Sequence, residues 1–192
     1  MKYSREMLVD GIEKVDKLLN EHPIPAWEEL PQLELYMDQV IILLGQYLGI
    51  YSIGNDADKF ITAPMINNYV KLKIMPAPIK KKYTRIHLAY LIIICSLKQT
   101  LSMATIQKII PIDLSDEEVI EIYKVFAKNQ KKALKYTSDQ IHQVACPIAE
   151  EAEHSPERIN DLVIQVAISS NITKLLTEKL VDMNKAKETK EK

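Results

Sequence analysis

Glycine is nearly missing from this chain of 192 residues: Gly11, Gly45, Gly49 and Gly54 are the only four, and none follows Gly54. Strand-rich folds draw on glycine for tight turns, and phosphate-binding loops need it in clusters. The scarcity therefore argues for helices and against a nucleotide-binding enzyme of the P-loop or Rossmann type. Cysteine is equally sparse. Cys95 and Cys146 stand far apart in apolar surroundings, which excludes a disulfide framework and reads as two reduced core thiols of a cytoplasmic protein. Long apolar runs are missing too. The stretch from Leu88 to Cys95, with Ser96 and Leu97 after it, is about ten residues where a membrane span needs roughly 20, so a buried helix and no membrane are expected. Lys2, Arg5 and the charged stretch that follows lack an apolar signal core, so no secretory segment is expected.

Acidic residues are missing from one long segment. Between Lys59 and Ile112 the chain carries nine basic residues and no Asp or Glu, a charge of +9 in a chain whose total is −1, so the remainder carries −10. Such segregation fits either a basic face balanced by acidic neighbours or a site for a polyanion.

What is present is helical patterning. Apolar residues make up 47% of the chain, enough for a packed core. Met7, Leu8, Ile12, Val15, Leu18 and Leu19 predict a helix over 4–21, stopped by Pro23 and Pro25. Trp27 in the following connector is expected to be a packing anchor. A second helix is expected over 32–48, followed by a loop at Gly54, Asn55, Asp56 and Asp58. Thr62 and Pro64 suit the start of a short helix to about Leu72, which Pro76 and Pro78 stop. Ile79 to Tyr83 reads as a brief extended arm. Thr84 and Ser102 are expected to cap two further helices, and Ser115 with Glu118 forms a capping box for a long one. Thr137 or Ser138 is expected to open another helix, with a kink or break at Pro147, and Ser155–Pro156–Glu157 to start the last. The charged tail from Asn184 is expected to fray.

The short helix and the arm form an organised pattern. Asparagine disfavours helix interiors, yet Asn67 and Asn68 stand mid-helix. In a major groove, asparagine pairs bidentately with adenine, and flanking cations neutralise phosphates. Asn67 and Asn68 are therefore the expected base contacts. Lys71, Lys73, Lys80, Lys81, Lys82 and Arg85 are the expected phosphate or groove contacts, and duplex DNA is the expected partner. The alternative for the asparagines is plain solvation or local bonding to the backbone.

The stretch from Met65 to Pro76 resembles the recognition helix of MerR-type regulators and its exit. Lys82–Tyr83–Thr84–Arg85 resembles the end of that family's wing, and Leu101–Ser102 with Ile106 resembles the start of a later helix. The resemblance implies a winged helix-turn-helix with a very short wing. Lys73 stands where that pattern has a helix-ending glycine. Over about 24–150 the chain also resembles the YkrK-type bacterial proteins, a family of unknown function, through Ile24 to Pro31, Leu35 to Val40, Met65 to Tyr69 and Lys80 to Tyr83.

The resulting expectation is an all-α helical bundle containing a MerR-like winged helix-turn-helix element. Residues 1–31 would be an N-terminal helix and connector, 32–112 the DNA-binding region, 113–183 helices for packing or dimerisation, and 184–192 a charged tail. The function read from it is sequence-specific DNA binding in transcriptional regulation, with a homodimer and an effector or protein partner as further expectations. The alternative is a protein-interaction adaptor using the basic surface. No Ser/His/Asp set, catalytic carboxylate pair or cofactor motif is found, so no enzyme and no cofactor are expected. His142, Cys146, Glu150 and His154 recur every four residues, but Pro147 between them favours a core cysteine with surface histidines over a metal site. His87 is expected at the surface or beside a phosphate.

Overall fold

The computed structural model describes residues 4–21, 24–51, 60–151 and 157–188. Among these residues the fold is all-helical, with seven α-helices and no strand beyond isolated β-bridges. The predicted loop at Gly54 to Asp58, His154 and the Ser155–Pro156 start all lie outside the described residues. No helix among the described residues is long and apolar enough to cross a membrane. The chain divides into two compact units, residues 22–131 and residues 1–21 with 132–192.

The first unit is built around α4 (Arg85–Leu97), in which every residue from His87 to Ser96 is buried. This is the apolar run of the sequence, enclosed on all sides. Against it pack α2 (Met37–Tyr47) and α5 (Met103–Ile109), and α3 (Ala63–Lys71) packs on α2. Ser102 accepts the Thr105 N–H at 3.1 Å and so caps α5 as its sequence implies. The capping box also forms: the Ser115 N–H donates to Glu118 at 2.8 Å and the Glu118 N–H to the Ser115 hydroxyl at 3.3 Å. It starts α6 (Asp116–Glu151), whose Val119 and Tyr123 join the core of this unit. The Tyr123 hydroxyl donates to the Pro25 carbonyl at 2.8 Å, and its ring meets Trp27 edge-on at 5.9 Å, which makes Trp27 the anchor expected of it.

Helix α2 is shorter than the sequence suggests. Residues 32–36 are not helical, because Leu35 pairs with Tyr83 in an antiparallel bridge, with N–H to carbonyl distances of 2.9 and 2.8 Å. The Gln39 side chain takes the Tyr36 N–H at 2.9 Å and caps the helix only after that pairing.

The second unit contains α1 (Arg5–Glu21), the later part of α6, and α7 (Glu157–Glu188). Arg5 donates to the Ala149 carbonyl at 2.9 Å, while Asp16 meets Ser138 and His142, so α1 runs antiparallel to α6. Two expectations fail here. No helix begins at Thr137 or Ser138, because Ser138 spends its hydroxyl on Asp16 rather than on a cap. Pro147 neither breaks nor ends the helix, which continues through it to Glu151. Helix α7 extends past Asn184 to Glu188, into the stretch expected to fray. Much of α7 leaves its aliphatic side chains in solvent. Ile164, Ile168, Ile172, Leu175, Leu176 and Leu180 are each more than half exposed.

Candidate nucleic-acid interface

Helix α3 begins where Thr62 leaves extended backbone and Pro64 fits the first turn. Thr62 holds the N-cap position without a side-chain cap bond. Ile66 and Tyr69 are buried and fasten one side of the helix, and burial pushes the Tyr69 hydroxyl well above its ordinary value. The opposite side presents Pro64, Asn67, Asn68 and Lys71, spaced by three and four residues and all exposed. Neither asparagine amide bonds back to the helix or to any other described residue, which leaves both donor and acceptor edges open.

The helix ends in a Schellman motif. The Ile74 N–H reaches the Tyr69 carbonyl at 2.9 Å and the Lys73 N–H reaches Val70 at 3.0 Å. Lys73 sits at φ 54°, the left-handed position that glycine ordinarily fills. Gln107 of α5 donates to the Lys73 carbonyl at 3.3 Å and steadies this exit.

The basic arm is a miniature hairpin. Ile79 and Lys82 exchange both backbone hydrogen bonds, at 3.1 and 2.9 Å, across a two-residue turn. Its central residues, Lys80 and Lys81, lie at φ 51° and 64°. This is the primed turn that follows the twist of paired strands, usually made with Asn-Gly. Lys73, Lys80 and Lys81 are all the non-glycine residues at positive φ among those described. All three are exposed lysines of the candidate site.

The arm is fixed at its base by His87, which corrects the expectation of a surface histidine. Its side chain is buried. Nδ1 accepts the Thr84 N–H at 3.0 Å and lies 2.8 Å from the Thr84 hydroxyl, and Nε2 meets the Ala77 carbonyl at 3.1 Å. These partners select the tautomer with hydrogen on Nε2, since Nδ1 must accept an amide hydrogen. Tyr83 packs edge-on against the ring at 5.6 Å. Burial lowers the His87 pKa, opposed by the Ala77 bond and by the Asp116 charge.

The structure separates the cations that face solvent from those held by the fold. Lys71, Lys73, Lys80 and Lys81 are exposed and have no ion pair among the described residues. Lys82 pairs with Glu34 at 3.0 Å. Lys98 donates to the Phe60 carbonyl at 2.9 Å with its ammonium 4.7 Å from the Phe60 ring centre. Arg85 lies 5.1 Å from the centre of the Trp27 ring and donates to the Leu30 carbonyl at 2.8 Å. Sequence reasoning grouped Arg85 with the outward cations because it follows the arm directly. Its partners come from residues more than fifty positions earlier.

The histidine stripe of α6 also differs from its expectation. Cys146 is partly exposed rather than in the core, because its side chain faces His142 at 3.4 Å on an uninterrupted helix. Among the described residues, no three His, Cys, Asp or Glu side chains are placed to hold a metal ion together.

The sequence model of a family described as "Domain of unknown function (DUF1836)" matches residues 25–128, more than half of the chain. No curated protein and no solved structure matches it.

Proposed function

The chain belongs to this family of unknown function, and we propose that it acts as a sequence-specific DNA-binding protein of the transcription-regulator kind. In this reading α2 and α3 form a MerR-like helix-turn-helix, and the hairpin at Ile79 to Lys82 is its wing. The YkrK-type resemblance, over about 24–150, falls largely within the matched span and supplies no activity of its own. One observation carries the reading: a short helix offers on its exposed side Lys71 and two asparagine amides unbonded among the described residues, and a lysine-tipped hairpin follows it directly. Asn67 and Asn68 would read base edges. Lys71, Lys73, Lys80 and Lys81 would meet phosphates, while Lys82 and Arg85 hold the wing in shape. A homodimer through α7 would present two such surfaces to a palindromic site.

The test is duplex binding by fluorescence anisotropy across a salt series, after selection of bound fragments from random genomic DNA. Four phosphate contacts predict that log affinity falls with log salt at a slope of about −3.6. Asn67→Ala is expected to relax sequence preference, and Lys81→Ala to weaken all sequences alike. Absence of binding at low salt overturns the reading and leaves an acidic protein as the partner of the basic surface.

A further inference from the structure

Asp16 on α1 and Ser138, His142 and Cys146 on successive turns of α6 form one chain of contacts. A carboxylate only accepts hydrogen bonds, so the Ser138 hydroxyl donates to Asp16 Oδ1 at 2.8 Å and the His142 Nε2–H donates to Oδ2. That assignment places the lone pair of His142 on Nδ1, which faces the Cys146 Sγ at 3.4 Å. The order is nucleophile, base and orienting carboxylate. Thiol and carboxylate address opposite nitrogens of the imidazole, so the cluster is arranged for moving a proton and not for enclosing a cation.

We infer that Cys146 is a modification site, a thiol oxidised by hydrogen peroxide with His142 as the proton acceptor and Asp16 as the positioning residue. Cys146 is partly exposed and the His142 side chain is 49% exposed, so a reagent of this size reaches the sulfur without a pocket. In the step, the thiol proton passes to Nδ1 while sulfur attacks one peroxide oxygen. The S–O bond forms and the O–O bond breaks. The departing hydroxide takes the proton from His142 and leaves as water. Sulfur loses two electrons and becomes a sulfenic acid, while the peroxide is reduced. Between the two transfers, the imidazolium is paired with Asp16, whose carboxyl is held below its ordinary pKa by the Ser138 bond first and by His142 second. The other thiol is an internal control. Cys95 is buried, and burial pushes its pKa up to about 12 against the opposing charge of Lys98.

The experiment exposes the full chain to hydrogen peroxide, traps sulfenic acid with dimedone and maps the label by peptide mass spectrometry. Label is expected on Cys146 well before Cys95. Both His142→Gln and Asp16→Asn are expected to slow labelling by about tenfold or more, as loss of a general base does. Loosening of the helices would expose the sulfur and speed the reaction, so a slowing is not a folding artefact. Should His142→Gln fail to fold, the shape-preserving Asp16→Asn decides alone. Unchanged labelling of Cys146 in the variant, or earlier labelling of Cys95, overturns the inference.

Discussion

Lys80 and Lys81 occupy adjacent left-handed positions and close the turn between Ile79 and Lys82, a conformation that lysine disfavours. A non-glycine residue in this region costs of order 1 kcal/mol or more. The double variant Lys80→Asn with Lys81→Gly supplies the residues the turn prefers. It is expected to raise stability by about 1 kcal/mol, with a melting temperature a few degrees higher. The same variant is expected to weaken DNA binding and to lower the salt slope by about 2. Opposite signs in the two assays would mark the lysines as functional choices made against the local backbone. A gain in both would remove the turn from the proposed interface.

His87 gives the arm a pH dependence. Burial lowers its pKa from the model-compound value of 6.5, so the folded state holds the neutral ring more firmly than the unfolded chain does. Above pH 6.5 both states are neutral and the contribution is complete. As pH falls below 6.5 the unfolded chain takes a proton first, and stability is lost until the folded ring is protonated as well. Thermal melts at pH 7.5 and 5.5 are expected to show the wild-type chain losing more stability than His87→Gln. At pH 7.5 the variant should be less stable by about 1–2 kcal/mol, through loss of the Thr84 and Ala77 partners. Equal pH sensitivity in both proteins would show that the imidazole does not carry the effect.

Local signals are legible in the sequence, and pairings across long separations are not. Ser102, Ser115 and Glu118 were legible because a cap is settled within four residues, and the apolar run at Leu88 to Cys95 because its burial follows from composition. The Leu35–Tyr83 bridge was not, since the partners are 48 positions apart and neither segment looks strand-like alone. A primed turn made of two lysines carries no glycine or asparagine signal. His87 and Arg85 looked outward-facing because they follow the basic arm closely, and only the fold brings Ala77 and Trp27 to them. Asp16 could not be linked to His142 from spacing, because an unbroken α6 had to be known first.

Arg85 separates packing from phosphate binding. Its guanidinium lies over Trp27 and serves the Leu30 carbonyl, so Arg85→Ala removes a cation–π contact and orphans a carbonyl. A loss of about 1–3 kcal/mol in denaturant unfolding is expected. The salt slope of DNA binding in the folded variant is expected to stay at the wild-type value, whereas Lys81→Ala reduces it by about 1. A slope reduced by Arg85→Ala as well would return this residue to the phosphate contacts.

Helix α7 bears on the proposed dimer. Ile164, Ile168, Ile172 and Leu175 recur at steps of three or four residues, and Val166, Leu176 and Leu180 lie between and beyond them, all more than half exposed. A single chain that left so many large aliphatic side chains in water would forgo roughly 1.5–3 kcal/mol for each one not buried. Exposed aliphatic side chains in such number mark an interaction surface, and a twofold axis lets the same helix serve both partners. Light scattering at tens of micromolar protein is expected to give a dimer mass for the wild-type chain and a monomer mass for Leu176→Glu with Leu180→Glu. The monomeric variant is expected to bind a single half-site with unchanged base preference and to lose affinity for the paired site, because the helix and hairpin of the proposed interface are untouched. A monomeric wild type would remove the homodimer from the proposal. A variant that stays dimeric would move the interface elsewhere on the chain.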